Sequence, residues 1–137
     1  VFSISAKGVY GLTAVVSLAE RPEGAPVQIK SIAEEHDIPQ HYLEQILVIL
    51  KKAGIVESFR GARGGYALAR SAAGIRVIDV LSQLEGELEL SSDGQARSAL
   101  GFFWQDVEQS IREKLQVSIE DLLLERERQR NSFTYSI

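Results

Sequence analysis

The feature that most constrains this chain is a pair of amphipathic helical stretches hinged on one proline, "IKSIAEEHDIPQHYLEQILVILKKAG", residues 29 to 54. Ile29, Ile32 and Ala33 recur at helical spacing. Pro39 then disfavours a helical conformation at Ile38 while suiting the first turn of a following helix. That helix is predicted from about Pro39 to Ala53, with Leu43, Ile46, Leu47 and Leu50 inward, Lys51 and Lys52 at its negative end and Gly54 as its stop. Two short helices joined by a tight turn make a helix-turn-helix. Behind it, "IVESFR" and "YALAR" read as strands joined across Gly61 to Gly65, a connection that suits a β-hairpin. The expected fold is therefore mainly α with a small β-hairpin wing: a winged helix-turn-helix.

The remaining segments frame that unit. "SAKGVYGLTAVVSLAE", residues 5 to 20, places Val9, Leu12, Val16 and Ala19 on one helical face and Val15 and Leu18 on a second, so this helix is expected to be buried on more than one side. Gly8 and Gly11 weaken it and point to close packing. "RPEGAP" is a turn. "RVIDVLSQL" is a short helix with Val77, Val80, Leu81 and Leu84 at core spacing, and "EGELELSSDGQ" is a polar linker with one alternating patch. A long helix is predicted from near Gln95 to about Leu115, carrying the apolar stripe Leu100, Phe103, Trp104, Val107, Ile111 and Leu115. A domain this small can scarcely bury that stripe alone, so a second subunit is the expected cover. Ser118 opens a last helix, with Asp121 in capping-box position. The tail "RERQRNSFTYSI" has no core to join. The expected organisation is a DNA-binding domain over residues 1–86, a linker and dimerisation helices over 87–129, and a C-terminal tail over 130–137.

Composition narrows the chemistry. The chain has 137 residues, one domain's worth, with 45% hydrophobic and 25% charged residues, a globular balance. It contains no cysteine, which excludes disulfides, thiolate metal sites and cysteine nucleophiles. No apolar run approaches the roughly 20 residues of a membrane span, and the opening residues lack the pattern of a secretory signal, so a cytoplasmic location away from membranes is expected. The net charge of −4 conceals an asymmetry. Residues 1–76 hold nine Lys or Arg against seven Asp or Glu, a balance of +2, whereas residues 77–137 hold six against twelve, or −6. Any polyanion is met by the front half.

The glycine-rich run "RGARGGY", residues 60 to 66, does not make a phosphate-binding loop, because a strand rather than a helix follows it. A bare hairpin turn accounts for the glycines but gives no reason for Arg60 and Arg63. A protruding basic wing accounts for both: the arginines reach DNA phosphates or the minor groove, and Gly61 and Gly64 let the backbone approach. On the second helix of the motif, Gln40, His41, Glu44 and Gln45 face outward near the N-terminus. There they are either ordinary solvated residues or groups for the major groove, where Gln pairs with adenine and Glu accepts from the cytosine amino group. Enzymatic readings find little: His36 and His41 are the only histidines, five apart across a proline turn, and His36 is expected to face solvent. No catalytic constellation is visible, so the chain is not expected to be an enzyme.

Three stretches carry a resemblance: "SAKGVYGLTAVVSLA", the helix-turn-helix with its "YLEQ", and the wing with its "RGxxGGY" pattern. Together they resemble the winged-helix regulators typified by the iron-sulfur cluster regulator IscR and the cysteine-metabolism repressor CymR, closely over residues 3–86 and more loosely around Trp104. The resemblance implies a dimeric bacterial repressor or activator with long C-terminal helices crossing between subunits. It also implies that Tyr10, His41, Tyr42, Glu44 and Arg60 meet double-stranded DNA. Cluster-binding members carry three cysteines before the long helix and a histidine just inside it. Here that region reads "SSDGQARSALGFFW", with Gly101 at the histidine's place, so the chain looks like the cluster-free branch and no cofactor is expected. Targets in cysteine, sulfur or iron-sulfur metabolism are implied. Regulators of this kind use cysteine synthase as a co-regulator, and that enzyme accepts partner C-termini ending in isoleucine. Tyr135 and Ile137 are thus either a docking tail or a frayed end. The rival from another class is a winged-helix interaction module that has lost DNA binding.

Overall fold

The computed structural model describes residues 3–22, 24–90 and 99–135. The order is α1 (Ala6–Ala19), α2 (Ile29–His36), α3 (Gln40–Lys52), β1 (Val56–Phe59), β2 (Gly65–Leu68), a 3-10 turn (Ala72–Gly74), α4 (Val77–Glu85), α5 (Gly101–Lys114) and α6 (Ile119–Tyr135). Helix, helix, helix and hairpin follow in the order that the hydrophobic spacing dictates.

One core serves α1 to α4 and the hairpin. Ile32 of α2, Leu43, Ile46, Leu47 and Leu50 of α3 and Val80 of α4 are fully buried, as the helical spacing requires. At the turn between α2 and α3, Asp37 takes a left-handed conformation with φ 53°, and Ile38 N–H donates to the Ala33 carbonyl at 2.9 Å. Pro39 then stands at the N-cap of α3, where its missing N–H costs nothing. In α1 the two apolar faces are unequal. Ala14, Val15 and Leu18 are buried and Leu12, Val16 and Ala19 half-buried, but Val9 is 52% exposed, contrary to the two-sided burial expected of it. The glycines explain the rotation: α1 lies so close to α4 that a Cβ at Gly11 would run into Leu84.

The acidic half is not a separate body. Ile119 at the start of α6 is fully buried in the same core. The first N–H groups of α4, which have no partner within their own helix, are satisfied from the α5–α6 connection: Val77 N–H donates to the Val117 carbonyl and Ile78 N–H to the Leu115 carbonyl, both at 2.9 Å. Ser118 and Asp121 close the expected capping box, Asp121 N–H donating to Ser118 Oγ at 3.0 Å and Ser118 N–H to the carboxylate at 3.2 Å.

Two boundaries differ from the sequence reading. Helix α5 begins at Gly101 rather than near Gln95, a position outside the described residues. Helix α6 continues to Tyr135, through what reads as a loose tail from residue 130. Pairs one turn apart brace the exposed part of α6 that leads into it, Arg128 with Glu125 at 3.3 Å and Arg130 with Glu127 at 3.5 Å, and such pairs support a helix without a core. His36 also differs: it is half-buried, because α6 returns across α1 and walls it in with Leu12, Val16 and Leu122.

Candidate nucleic-acid interface

The wing is a two-stranded antiparallel hairpin in which Val56 pairs with Leu68 and Phe59 with Gly65. Burial alternates along β1, Val56 inward and Glu57 outward, so one face rests on the core while the tip projects. The connection Arg60–Gly64 turns tightly, with Gly64 N–H donating to the Gly61 carbonyl at 2.9 Å. Gly61 has φ +99°, a conformation that L side chains rarely adopt, which leaves Arg60 and Arg63 exposed on either side of a thin tip. Gly64 is buried, its Cα facing the Phe59 carbonyl, so it shapes the turn rather than lying open.

The wing is tied to the helix-turn-helix at three points. Val27, just before α2, exchanges two hydrogen bonds of 2.8 Å with Tyr66, forming an isolated bridge on the outer side of β2. Gln28, the N-cap residue of α2, donates from its amide to the Ala62 carbonyl at 3.2 Å, reaching the middle of the tip. Lys51, in the last turn of α3, donates to Ser58 Oγ at 2.6 Å. The tip's position relative to α2 and α3 is thereby fixed before any ligand arrives, and ordering a preset tip costs a ligand less than ordering a free loop.

Helix α3 presents the expected polar residues outward. Gln40, His41, Glu44 and Gln45 are all exposed, His41 with 86% of its side chain accessible. They form one cluster: Gln45 Nε2 lies 3.4 Å from His41 Nε2, and Glu44 Oε2 lies 3.9 Å from His41 Nδ1. Such contacts between solvated groups are weak and exchange readily for others. Tyr42 lies off this face, half-buried edge-on to Tyr10 of α1 with ring centroids 5.8 Å apart. The two tyrosines brace α1 against α3, so of the expected DNA residues they are the ones also committed to packing. Sequence reasoning missed Gln28. A glutamine before a helix looks like a solvated N-cap, and nothing in the linear pattern shows that the wing folds back upon it.

The N-terminus of α1 is already occupied by an anion from its own chain. Glu85, the last residue of α4, accepts from Gly8 N–H at 3.1 Å and Ser5 N–H at 3.2 Å. The positive end of α1 is thus neutralised internally.

Helix α5 exposes Phe102, Phe103 and Trp104, with Leu100 exposed at its N-cap, while Val107, Ile111 and Leu115 are half-buried. Phe103 and Trp104 pack edge to face at 5.0 Å. Of the residues expected in a docking tail, Tyr135 ends α6 and Ile137 lies outside the described residues. No helix is long and apolar enough to cross a membrane among the described residues.

Residues 4–125 match the Rrf2 family, described as an iron-dependent transcriptional regulator. The chain is 37% identical over 124 residues to the HTH-type transcriptional regulator CymR of Bacillus subtilis, an alignment covering 87% of this chain and 88% of that one. The solved structure of that protein, the global cysteine regulator, matches with a TM-score of 0.74 over 89% of this chain and 96% of its own at 35% identity. The structure of IscR from T. potens matches with a TM-score of 0.78 at 40% identity, covering 91% and 88%. The donors for a thiolate-held iron cluster do not fit: the sequence has no cysteine. Among the described residues, no three His, Asp or Glu side chains gather in a way that could hold a metal ion.

Proposed function

The chain belongs to the Rrf2 family of helix-turn-helix transcriptional regulators, and from that premise we propose that it is a homodimer that binds a pseudopalindromic operator without an iron-sulfur cluster. Residues 1–86 serve DNA binding and residues 87–129 serve linkage and dimerisation. His41, Glu44 and Gln45 meet base edges in the major groove, with Gln40 at the first turn and Tyr10 and Tyr42 toward the backbone. Arg60 and Arg63 meet phosphates or the minor groove. The stripe from Leu100 to Leu115 joins the subunits. The observation that carries this reading is the wing tip: two exposed arginines on a turn anchored by Gln28 to the helix-turn-helix. A loop serving only to reverse the chain needs neither the charge nor the anchor.

A cytoplasmic repressor of genes for cysteine, sulfur or iron-sulfur metabolism accords with its likeness to CymR and IscR. Cysteine synthase is the proposed co-regulator, engaged through Tyr135 and Ile137. Since α6 runs to Tyr135, this docking requires its last turn to unwind, and a peptide of residues 128–137 that fails to bind the synthase overturns it.

Anisotropy titration of the DNA upstream of this protein's own gene, at two salt concentrations, tests the main reading with wild type and an Arg60→Ala, Arg63→Ala variant. The expected result is tight binding by wild type and a logarithmic salt slope reduced in the variant by up to about 4, four phosphate contacts per dimer at roughly 0.9 each. Equal slopes for both proteins would remove the wing from the interface. Equal affinity for operator and random duplex, with cysteine synthase present, would favour an interaction module over a DNA reader.

A further inference from the structure

Val48 stands out on α3. Its neighbours in the sequence divide cleanly: Leu43, Ile46, Leu47 and Leu50 are fully buried, Ile49 is half-buried, and Val48 is 45% exposed. It therefore adds little to the core, and as a β-branched residue it is a poorer helix former than the Lys, Gln or Ala that usually fill such positions. A single exposed valine is ordinary on a protein surface. This one, however, lies seven residues beyond His41 and between Gln45 and Lys52, so it continues the outward line of His41, Glu44 and Gln45 by one further turn. In that row of polar groups it is the only apolar side chain.

The major groove presents one apolar feature to such a side chain, the thymine 5-methyl group. We infer that Val48 is a specificity-determining residue that packs on a thymine methyl in each half-site, a role that rests on the proposed binding of DNA through α3. Seven residues of α-helix rise about 10.5 Å, and base pairs are spaced about 3.4 Å apart. The thymine accordingly lies within about three base pairs of the pair met by His41, on the side toward the C-terminal end of α3. Discrimination follows from the chemistry of the groove. Cytosine at that position has no methyl group and presents an amino donor to an aliphatic side chain that cannot accept, so it loses the contact and a hydrogen bond to water together.

The test starts from an operator selected by the wild-type protein out of random duplexes. Each thymine of the half-site is then replaced in turn by deoxyuridine, which deletes the methyl and nothing else, and affinities are measured for wild type and Val48→Ala. The expected result is one thymine per half-site whose replacement weakens wild type about fourfold, the worth of one buried methyl, while Val48→Ala binds the thymine and uridine duplexes alike. A uridine penalty at every position that is the same for both proteins overturns the role of Val48 while leaving DNA binding intact. Failure of wild type to enrich any sequence, with cysteine synthase present, overturns the DNA-binding reading itself, and this inference with it. The thymine-to-uridine ratio is taken within each protein, so a variant that is only partly folded still reports it.

Discussion

Tyr10 of α1 and Tyr42 of α3 meet edge to face, their ring centroids 5.8 Å apart and their planes at 83°. Both are half-buried against the core, and Tyr42 sits beside the exposed His41 and two residues before Glu44. Together with the four residues that α3 buries, the contact helps to fix the roll of α3 about its own axis, on which the direction of every outward side chain depends.

Tyr42→Ala removes the aromatic pair and part of the packing beneath it. It should cost about 2 to 3 kcal/mol, combining the pair itself with lost burial, seen as a lower urea midpoint at unchanged m-value. Tyr10→Phe keeps the ring contact, so its stability should change by less than about 1 kcal/mol. Any larger loss in operator affinity for Tyr10→Phe then belongs to the hydroxyl group and its DNA contact.

Gln28→Ala cuts the link from α2 to the wing tip and leaves the core alone. Its effect on global stability should be within about 1 kcal/mol, the net worth of one exposed hydrogen bond. Amide exchange of residues 60 to 64 should accelerate, while exchange in α3 stays unchanged. Operator affinity should fall by severalfold, because the tip must then be ordered on binding. Unchanged exchange at the tip would show that the Val27–Tyr66 bridge suffices to hold the wing.

What the sequence made legible was whatever lay within a single period or turn. The inward residues of α3, the proline hinge, the hairpin and the capping box at Ser118 each depend on neighbours a few positions apart, and all are found where local rules put them. The misjudged features depend on contacts across the chain. Val9 faces outward because Gly11 lets Leu84 of α4 come close, and His36 is half-covered because α6 returns over α1. Hydrophobic periodicity assigns a face to a helix but not which of two apolar faces is chosen. In the candidate site, residue types that stand out by charge and position, Arg60, Arg63 and the polar face of α3, were legible. Gln28 was not, since its partner is a backbone carbonyl 34 residues away.

Gly65 is a sharp test of the tether between Val27 and Tyr66. It has φ +143°, and a Cβ there would run into the backbone carbonyl of Val27, which cannot step aside without breaking its bridge to Tyr66. Gly65→Ala should thus destabilise by about 2 kcal/mol or more through strain and a lost pairing. Its operator affinity should fall further than that of Gln28→Ala, measured at a temperature where both variants remain folded. A stability loss under about 0.5 kcal/mol would show that the strand pair is free to separate.

The apolar stripe on α5 yields a prediction that separates two aromatic neighbours. Phe103 belongs with Leu100, Trp104, Val107 and Ile111 on one face, whereas Phe102 is displaced by roughly 100° from Phe103 and lies on the far side of the helix from the stripe. Phe102 is the more exposed, 71% against 48%, so exposure alone would choose it as the contact residue. Helical geometry chooses Phe103. Since neither ring belongs to the core, a glutamate at either position should leave the protomer folded, with a thermal transition near that of wild type at equal ionic strength once the dimer's own contribution is removed by dilution. In the proposed dimer Phe103→Glu would put a carboxylate in the seam, and it should yield the 15.1 kDa monomer in sedimentation equilibrium, with operator binding weakened by the loss of one half-site's contribution. Phe102→Glu should remain a dimer. Reversal of the two outcomes would place the seam on the opposite face of α5 and change the distance between the two wings, and with it the half-site spacing that the operator must have.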